Sequence, residues 1–161
     1  MTDFDPLAIL AALERHRAAY VVVGDLAGVL QGSGLVARSV QITPSLKPEG
    51  LERLGSALGD LGVDEKARAR LGRLAPGGPP LSFTTERGEI EIDPSPAGSS
   101  GYDDLRRAAR REPLGQGLRV PVASAPDLIR VLAAQGRSQD LALERRLRRV
   151  VELERTITPD L

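Results

Sequence analysis

Residues 20–45 read YVVVGDLAGVLQGSGLVARSVQITPS, and the two apolar runs in this stretch decide the fold. Residues 20–23 are a β-branched run that stops at Gly24. Residues 36–43 form a second extended stretch, with the apolar Val36, Val40 and Ile42 on even positions. Between them, residues 26–30 have room for no more than a turn or two of helix, and Gly32-Ser33-Gly34 feeds the second strand. A strand, a glycine turn, a brief helix and a second strand in that order place backbone N–H groups at the mouth of a sheet. Such a mouth can hold a phosphate.

Toward the N-terminus, Asp5 is placed as a helix N-cap, Pro6 as the first helical residue, and Phe4 to staple against Ile9. Leu7, Leu10, Leu13 and Ala11 form the expected buried stripe, and His16 falls near the helix end as a solvated residue. Beyond the central stretch, residues 48–61 read as a helix with Leu51, Leu54, Leu58 and Leu61 on one face and Gly62 as its stop. Residues 64–74 suit a short charged helix, which the run PGGPP at 76–80 breaks. Residues 81–85 and 89–93 read as a hairpin around Glu86-Arg87-Gly88. In its second strand Ile90 and Ile92 face one way, and Glu89, Glu91 and Asp93 the other.

A Pro/Gly/Ser loop over 94–101 leads to a helix expected from 102 to 111, crowded by Arg106, Arg107, Arg110 and Arg111. Residues 115–122 follow as a further extended stretch. Ser124 caps the next helix with Asp127 at its third position, Leu128, Ile129, Val131 and Leu132 face the core, and Gly136 ends it. The last helix spans 139–156, with Leu143, Leu147, Val150 and Val151 inward and Arg145, Arg146, Arg148 and Arg149 around its outer faces.

A length of 161 residues suits one domain over 1–161 with a real core. Its aromatic residues are only Phe4, Tyr20, Phe83 and Tyr102, so the core must be built from Leu, Val, Ile and Ala. The 22 basic and 22 acidic residues cancel, which excludes a bulk polyelectrolyte attraction to nucleic acid or membrane. With no Cys and one His, there is neither a disulfide framework nor a thiolate or histidine ligand set. No leader peptide and no apolar run of membrane-spanning length can be read, so a cytoplasmic location is expected.

Gly24, Leu26, Ala27, Gly32, Ser33, Arg38, Val40, Ile42 and Pro44, together with Gly136, Arg137 and Asp140, form a pattern that resembles a known family. It is similar to the minimal nucleotidyltransferase fold, in particular the bacterial nucleotidyltransferases related to abortive-infection and toxin–antitoxin systems. The likeness runs from about residue 20 to residue 147. It implies an α/β (α+β) domain, a mixed sheet of about four to six strands flanked by helices, with further helices at the C-terminal end. It implies a nucleotide site at Gly24, Asp25, Gly32, Ser33 and Arg137. Counting back from Pro44, the family's two metal-binding aspartates fall on Ser39 and Gln41, its third carboxylate on Glu91, and a lysine on Leu132.

Residues i and i+2 of a strand share a face, so two carboxylates there can bridge two divalent cations that bind a triphosphate. Ser39 and Gln41 keep that spacing and supply oxygens without charge, which leaves a weak dication site. The first functional reading is therefore a catalytically degenerate member of the fold, acting as a binding or regulatory subunit with no cofactor. Its partner would be a protein, such as a toxin or antitoxin, or a second copy of the chain. The second reading is an active enzyme that transfers a nucleoside monophosphate from its triphosphate to RNA or protein. Magnesium would then sit in a rebuilt set drawn from Asp25, Glu89, Glu91 and Asp93. A third reading is an RNA- or toxin-binding module that uses the arginine faces. Strict alternation also makes Glu91 a plain solvent-facing edge residue.

Overall fold

A run of four buried residues, Tyr20–Val23, forms β1 near the middle of the sheet. The computed structural model describes residues 3–157; residues 1–2 and 158–161, the ends of the expected 1–161 domain, lie outside the described residues. Six strands, β1, β2 (Val40–Pro44), β3 (Leu81–Thr85), β4 (Gly88–Ile92), β5 (Arg110–Gly115) and β6 (Leu118–Val122), lie in the order β3-β4-β2-β1-β6-β5. The sheet is mixed. β1 pairs antiparallel with β2 and parallel with β6, β2 pairs parallel with β4, and two antiparallel hairpins supply the edges.

The register sorts the side chains into two faces. Val22, Ile42 and Ile92 lie in one row and Val40 and Ile90 in the next, all 0% exposed. By the strand period of two, Val23, Gln41 and Glu91 form a row on the opposite face. The hydrophobic face and the polar row of β4 are those its alternation announces.

Helix α1 (Pro6–Arg15) starts as its sequence dictates, with the Asp5 carboxylate accepting the Ala8 N–H at 3.0 Å. Its buried residues are Ile9, Leu10, Ala12 and Leu13, while Leu7 and Ala11 are half-buried. The stripe is thus turned from the expected one, because α1 packs against α3 (Pro48–Asp60) as well as the sheet. His16 is not simply solvated: its Nε2 pairs with Asp60 Oδ2 at 2.5 Å and ties the ends of the two helices. In α3, Leu54 and Leu58 are buried as expected and Leu51 is half-buried. Residues 64–74 form the short helix α4 (Glu65–Arg68), capped by Asp64, and a 3-10 turn over Ala69–Arg73.

Two of the expected elements are shorter than their sequences suggest. The strand expected over 36–43 begins only at Val40, and Val36 lies in a loop with 81% of its surface exposed. Gly32 and Gly34 both take positive φ, so the chain turns twice before it can extend. The helix expected over 102–111 stops after one turn, as α5 (Tyr102–Leu105), and Arg110 and Arg111 belong to β5. Gly115, Gln116 and Gly117 all have positive φ and close a β5–β6 hairpin, while Pro113 could not have continued a helix. The four-arginine helix face therefore does not exist.

The C-terminal elements are α6 (Ala125–Gln135) and α7 (Leu141–Ile157), joined by a 3-10 turn at Ser138–Asp140. Ser124 Oγ accepts the Asp127 N–H at 3.2 Å, and Gly136 ends α6 in the left-handed region with φ 62°. Leu143 and Leu147 bury α7 against the body, and its last residues, 152–157, are exposed. Among the described residues no helix is long and apolar enough to cross a membrane.

Candidate functional site

Helix α2 (Gly24–Leu30) begins directly at the end of β1, because Gly24 adopts φ 69° and turns the chain without a linker. Val23, at the N-cap, has no side-chain acceptor for the first helical N–H groups. Gln41 supplies one from the next strand: its Oε1 accepts the Asp25 N–H at 3.1 Å. The approach is so close that a Cβ on residue 24 would lie 1.5 Å from that oxygen.

A cleft of about 530 Å³ opens beside this junction. Its floor carries Gly24, Asp25, Gln41, Glu91 and Asp93; Gln135, Arg137, Gln139 and Asp140 contribute from α6 and the turn that follows it. Leu35 and Val36 from the loop, Leu128, Val131 and Leu132 from α6, and Leu143 from α7 make an apolar wall. The position where the resemblance expects lysine, Leu132, is thus part of that wall and only 8% exposed.

Among the described residues four carboxylates, Asp25, Glu91, Asp93 and Asp140, and one guanidinium line this cleft. Arg137 is engaged, donating to Asp140 at 2.7 Å and to Gln135 at 3.0 Å. Burial raises the Asp25 carboxyl above the usual carboxylate range, and the charge of Asp140 raises it further against the pull of Arg137. Burial also raises Asp93, although the Ser95 N–H bonded to its carboxylate at 3.1 Å pulls the other way.

Of the residues singled out in the sequence, the structure brings Gly24, Asp25, Gln41, Glu91 and Arg137 to this cleft. Gln41 and Glu91 are register partners on adjacent parallel strands, a spacing of about 4.8 Å. Ser39 precedes β2 and is not among the lining residues. Gly32 and Ser33 also lie away from the cleft: Ser33 is 2% exposed, its carbonyl accepts from Arg146 of α7 at 3.2 Å, and Gly32 faces Val150. Their role here is to seat α7. Glu89 points to the sheet edge, where Thr84 donates to it. Among the described residues no three His, Cys, Asp or Glu side chains converge closely enough to hold a metal ion.

Sequence reasoning missed the far wall. Leu128, Val131 and Leu132, three of the four residues expected to face the core, border the cleft, and the spacing that continues from them to Gln135 is the available signal. Asp140 was visible as a motif position, and its ion pair with Arg137 as the normal i,i+3 geometry.

The six-stranded mixed sheet with its flanking and C-terminal helices defines a nucleotidyltransferase-like fold. The crystal structure of a "putative nucleotidyltransferase" from Thermotoga maritima superposes on it with a TM-score of 0.60, covering 97% of this chain and 96% of that one. Only 16% of the residues are identical, so the likeness is one of fold. No family model matches the sequence, and no curated protein matches it.

Proposed function

We propose that the chain is a catalytically degenerate nucleotidyltransferase-fold protein, related to the abortive-infection and toxin–antitoxin group, that binds or regulates rather than transfers nucleotides. The observation that carries this reading is the Gln41 side chain. A carboxylate at this place, register partner of Glu91, would be set to share a dication. Gln41 instead has its oxygen bonded to the Asp25 N–H at 3.1 Å and brings no charge. Nucleotide transfer places much of its stabilisation on dications that offset charge at the attacking and leaving oxygens. Without them, a polyanionic triphosphate meets four carboxylates and an arginine already paired.

The rebuilt-site alternative draws on Asp25, Glu91 and Asp93, which do line the cleft. Their failure to converge, together with the diversion of Glu89 to Thr84, disfavours it. Regulation would act through a protein partner or a second copy of the chain, with Arg145, Arg148 and Arg149 on the exposed side of α7 as the basic surface on offer.

The test is calorimetry with magnesium and a nucleoside triphosphate. The native chain is expected to bind the nucleotide weakly, with little change on adding magnesium. The Ser39→Asp/Gln41→Asp variant is expected to bind magnesium more tightly, because position 41 then places a carboxylate opposite Glu91. Unchanged magnesium binding in that variant, or strong magnesium-dependent nucleotide binding by the native chain, would overturn the reading.

A further inference from the structure

The cleft has two chemically distinct sides, and its charge is out of keeping with the rest of the molecule. The chain as a whole is formally neutral. Yet Asp25, Glu91, Asp93 and Asp140, brought from α2, β4, the residue after it and the turn before α7, face a common space of about 530 Å³. The one cation that lines it among the described residues, Arg137, is held by Asp140 at 2.7 Å and so does not cancel the other three. Opposite them, Leu132 is buried in the wall, while Val36 on the rim is 81% exposed, an apolar side chain with nothing covering it.

A space of this volume is in the range that takes a small organic ligand, with apolar walls giving contact area and a few polar groups fixing orientation. The sign of the uncompensated charge selects the ligand's head group, and among the described residues no three carboxylates converge closely enough to cage a bare metal ion. An ammonium needs no such cage: its compact charge can pair with one carboxylate by hydrogen bond while the others attract it at longer range. An anion or a triphosphate would enter against the field of the same groups.

We propose that the cleft binds a protonated organic amine on an apolar body, its ammonium among Asp25, Glu91 and Asp93 and its body against Val36 and Leu132. Burial is the main cause of the raised carboxyls of Asp25 and Asp93, and a cation brought against either would favour its charged form. This ligand class rests on the reading of the cleft as a binding site that does not transfer nucleotides.

The experiment is an amide NMR titration of the full chain, without metal or nucleotide, using 2-phenylethylamine and its anionic counterpart 3-phenylpropanoate. The amine is expected to shift the amides around Asp25, Glu91 and Leu132 in a saturable way, and the acid to leave them unmoved. Glu91→Gln should weaken the amine by about three- to tenfold, the range for losing one partly solvated charge contact. Leu132→Lys should abolish its binding, and Leu132→Met, which keeps volume and charge, should preserve it. Equal shifts with the acid, or an amine affinity indifferent to both Glu91→Gln and Leu132→Lys, would overturn the proposal. Neither result touches the absence of nucleotide transfer. Conversely, metal-dependent transfer by a chain that still binds the amine would sink the function proposed above and leave this site standing.

Discussion

Gly24 and Gln41 are the residues on which the candidate site turns. Gly24 sits at φ 69°, and the Gln41 carboxamide occupies the space where its Cβ would be. Gly24→Ala is therefore expected to cost at least about 1–2 kcal/mol for the left-handed conformation, with a further loss because Gln41 must leave the Asp25 N–H. Removing the Gln41 side chain removes the collision, so Gly24→Ala should cost less in a Gln41→Ala background than alone. Urea unfolding of the four members of that cycle measures the difference. Asp25 gives a second expectation, with a sign set by its raised carboxyl. A carboxyl that holds its proton more tightly folded than unfolded lowers stability as pH rises from the ordinary carboxylate range through the raised value. Asp25→Asn should accordingly raise the melting temperature at pH 7 and leave it unchanged at a pH below the ordinary carboxylate value, where the native residue is neutral too. The resemblance puts Gly24, Asp25, Gln41 and Glu91 in one place, and the glycine turn and strand alternation on which they sit are local rules. The place of Gly32 and Ser33 could not be read that way, because their environment is made by Arg146 and Val150, more than a hundred residues away.

Among the elements, the second hairpin shows how a local preference loses to pairing. The run Leu105-Arg106-Arg107-Ala108-Ala109-Arg110-Arg111 is rich in helix formers, yet the chain leaves the helix at Leu105 and pairs Arg110 with Val122. Pro113 and the Gly115-Gln116-Gly117 turn were the local signs of this outcome, and they lie beyond the stretch that reads as helix. The strands β1, β3 and β4 and the helices α1, α3, α6 and α7 were legible, to within a few residues, because each carries its own period and caps. Between the elements, Arg130 of α6 binds the Gly98 carbonyl at 2.9 Å and the Asp104 carboxylate at 2.9 and 3.1 Å, fastening the loop that brings Pro96 to the cleft. Arg130 holds Asp104 below the usual carboxylate range, so the pair's contribution is present above that range and is lost as pH falls through the lowered value. Arg130→Ala is expected to speed amide exchange over residues 96–101 at neutral pH, and the difference from the native chain should shrink in acid, where the bond to the Gly98 carbonyl remains and the ion pair with Asp104 does not. Leu147, 0% exposed, anchors α7, and Leu147→Ala should destabilise the chain by about 2–5 kcal/mol, read from denaturant unfolding.

At the scale of the molecule, a nucleotidyltransferase-like fold carries a cleft that four carboxylates and one arginine line among the described residues. The cleft lies where β1 and β4 end and β2 begins. Of the three positions that the resemblance assigns to charged groups, Ser39 lies outside the cleft, Gln41 caps a helix, and Leu132 is wall. The fold was legible because it depends on patterns that recur along the chain. The cleft was only half legible, since its far wall is set by how α6 and α7 dock, which no short stretch of sequence encodes. The central claim is that this arrangement does not move a nucleotide. It is tested most directly by incubating the chain with each labelled nucleoside triphosphate, magnesium or manganese, and a mixture of RNA and protein acceptors, beside the Glu91→Ala variant. No labelling above background in either protein is the predicted result; metal-dependent labelling by the native chain that disappears in Glu91→Ala would contradict it.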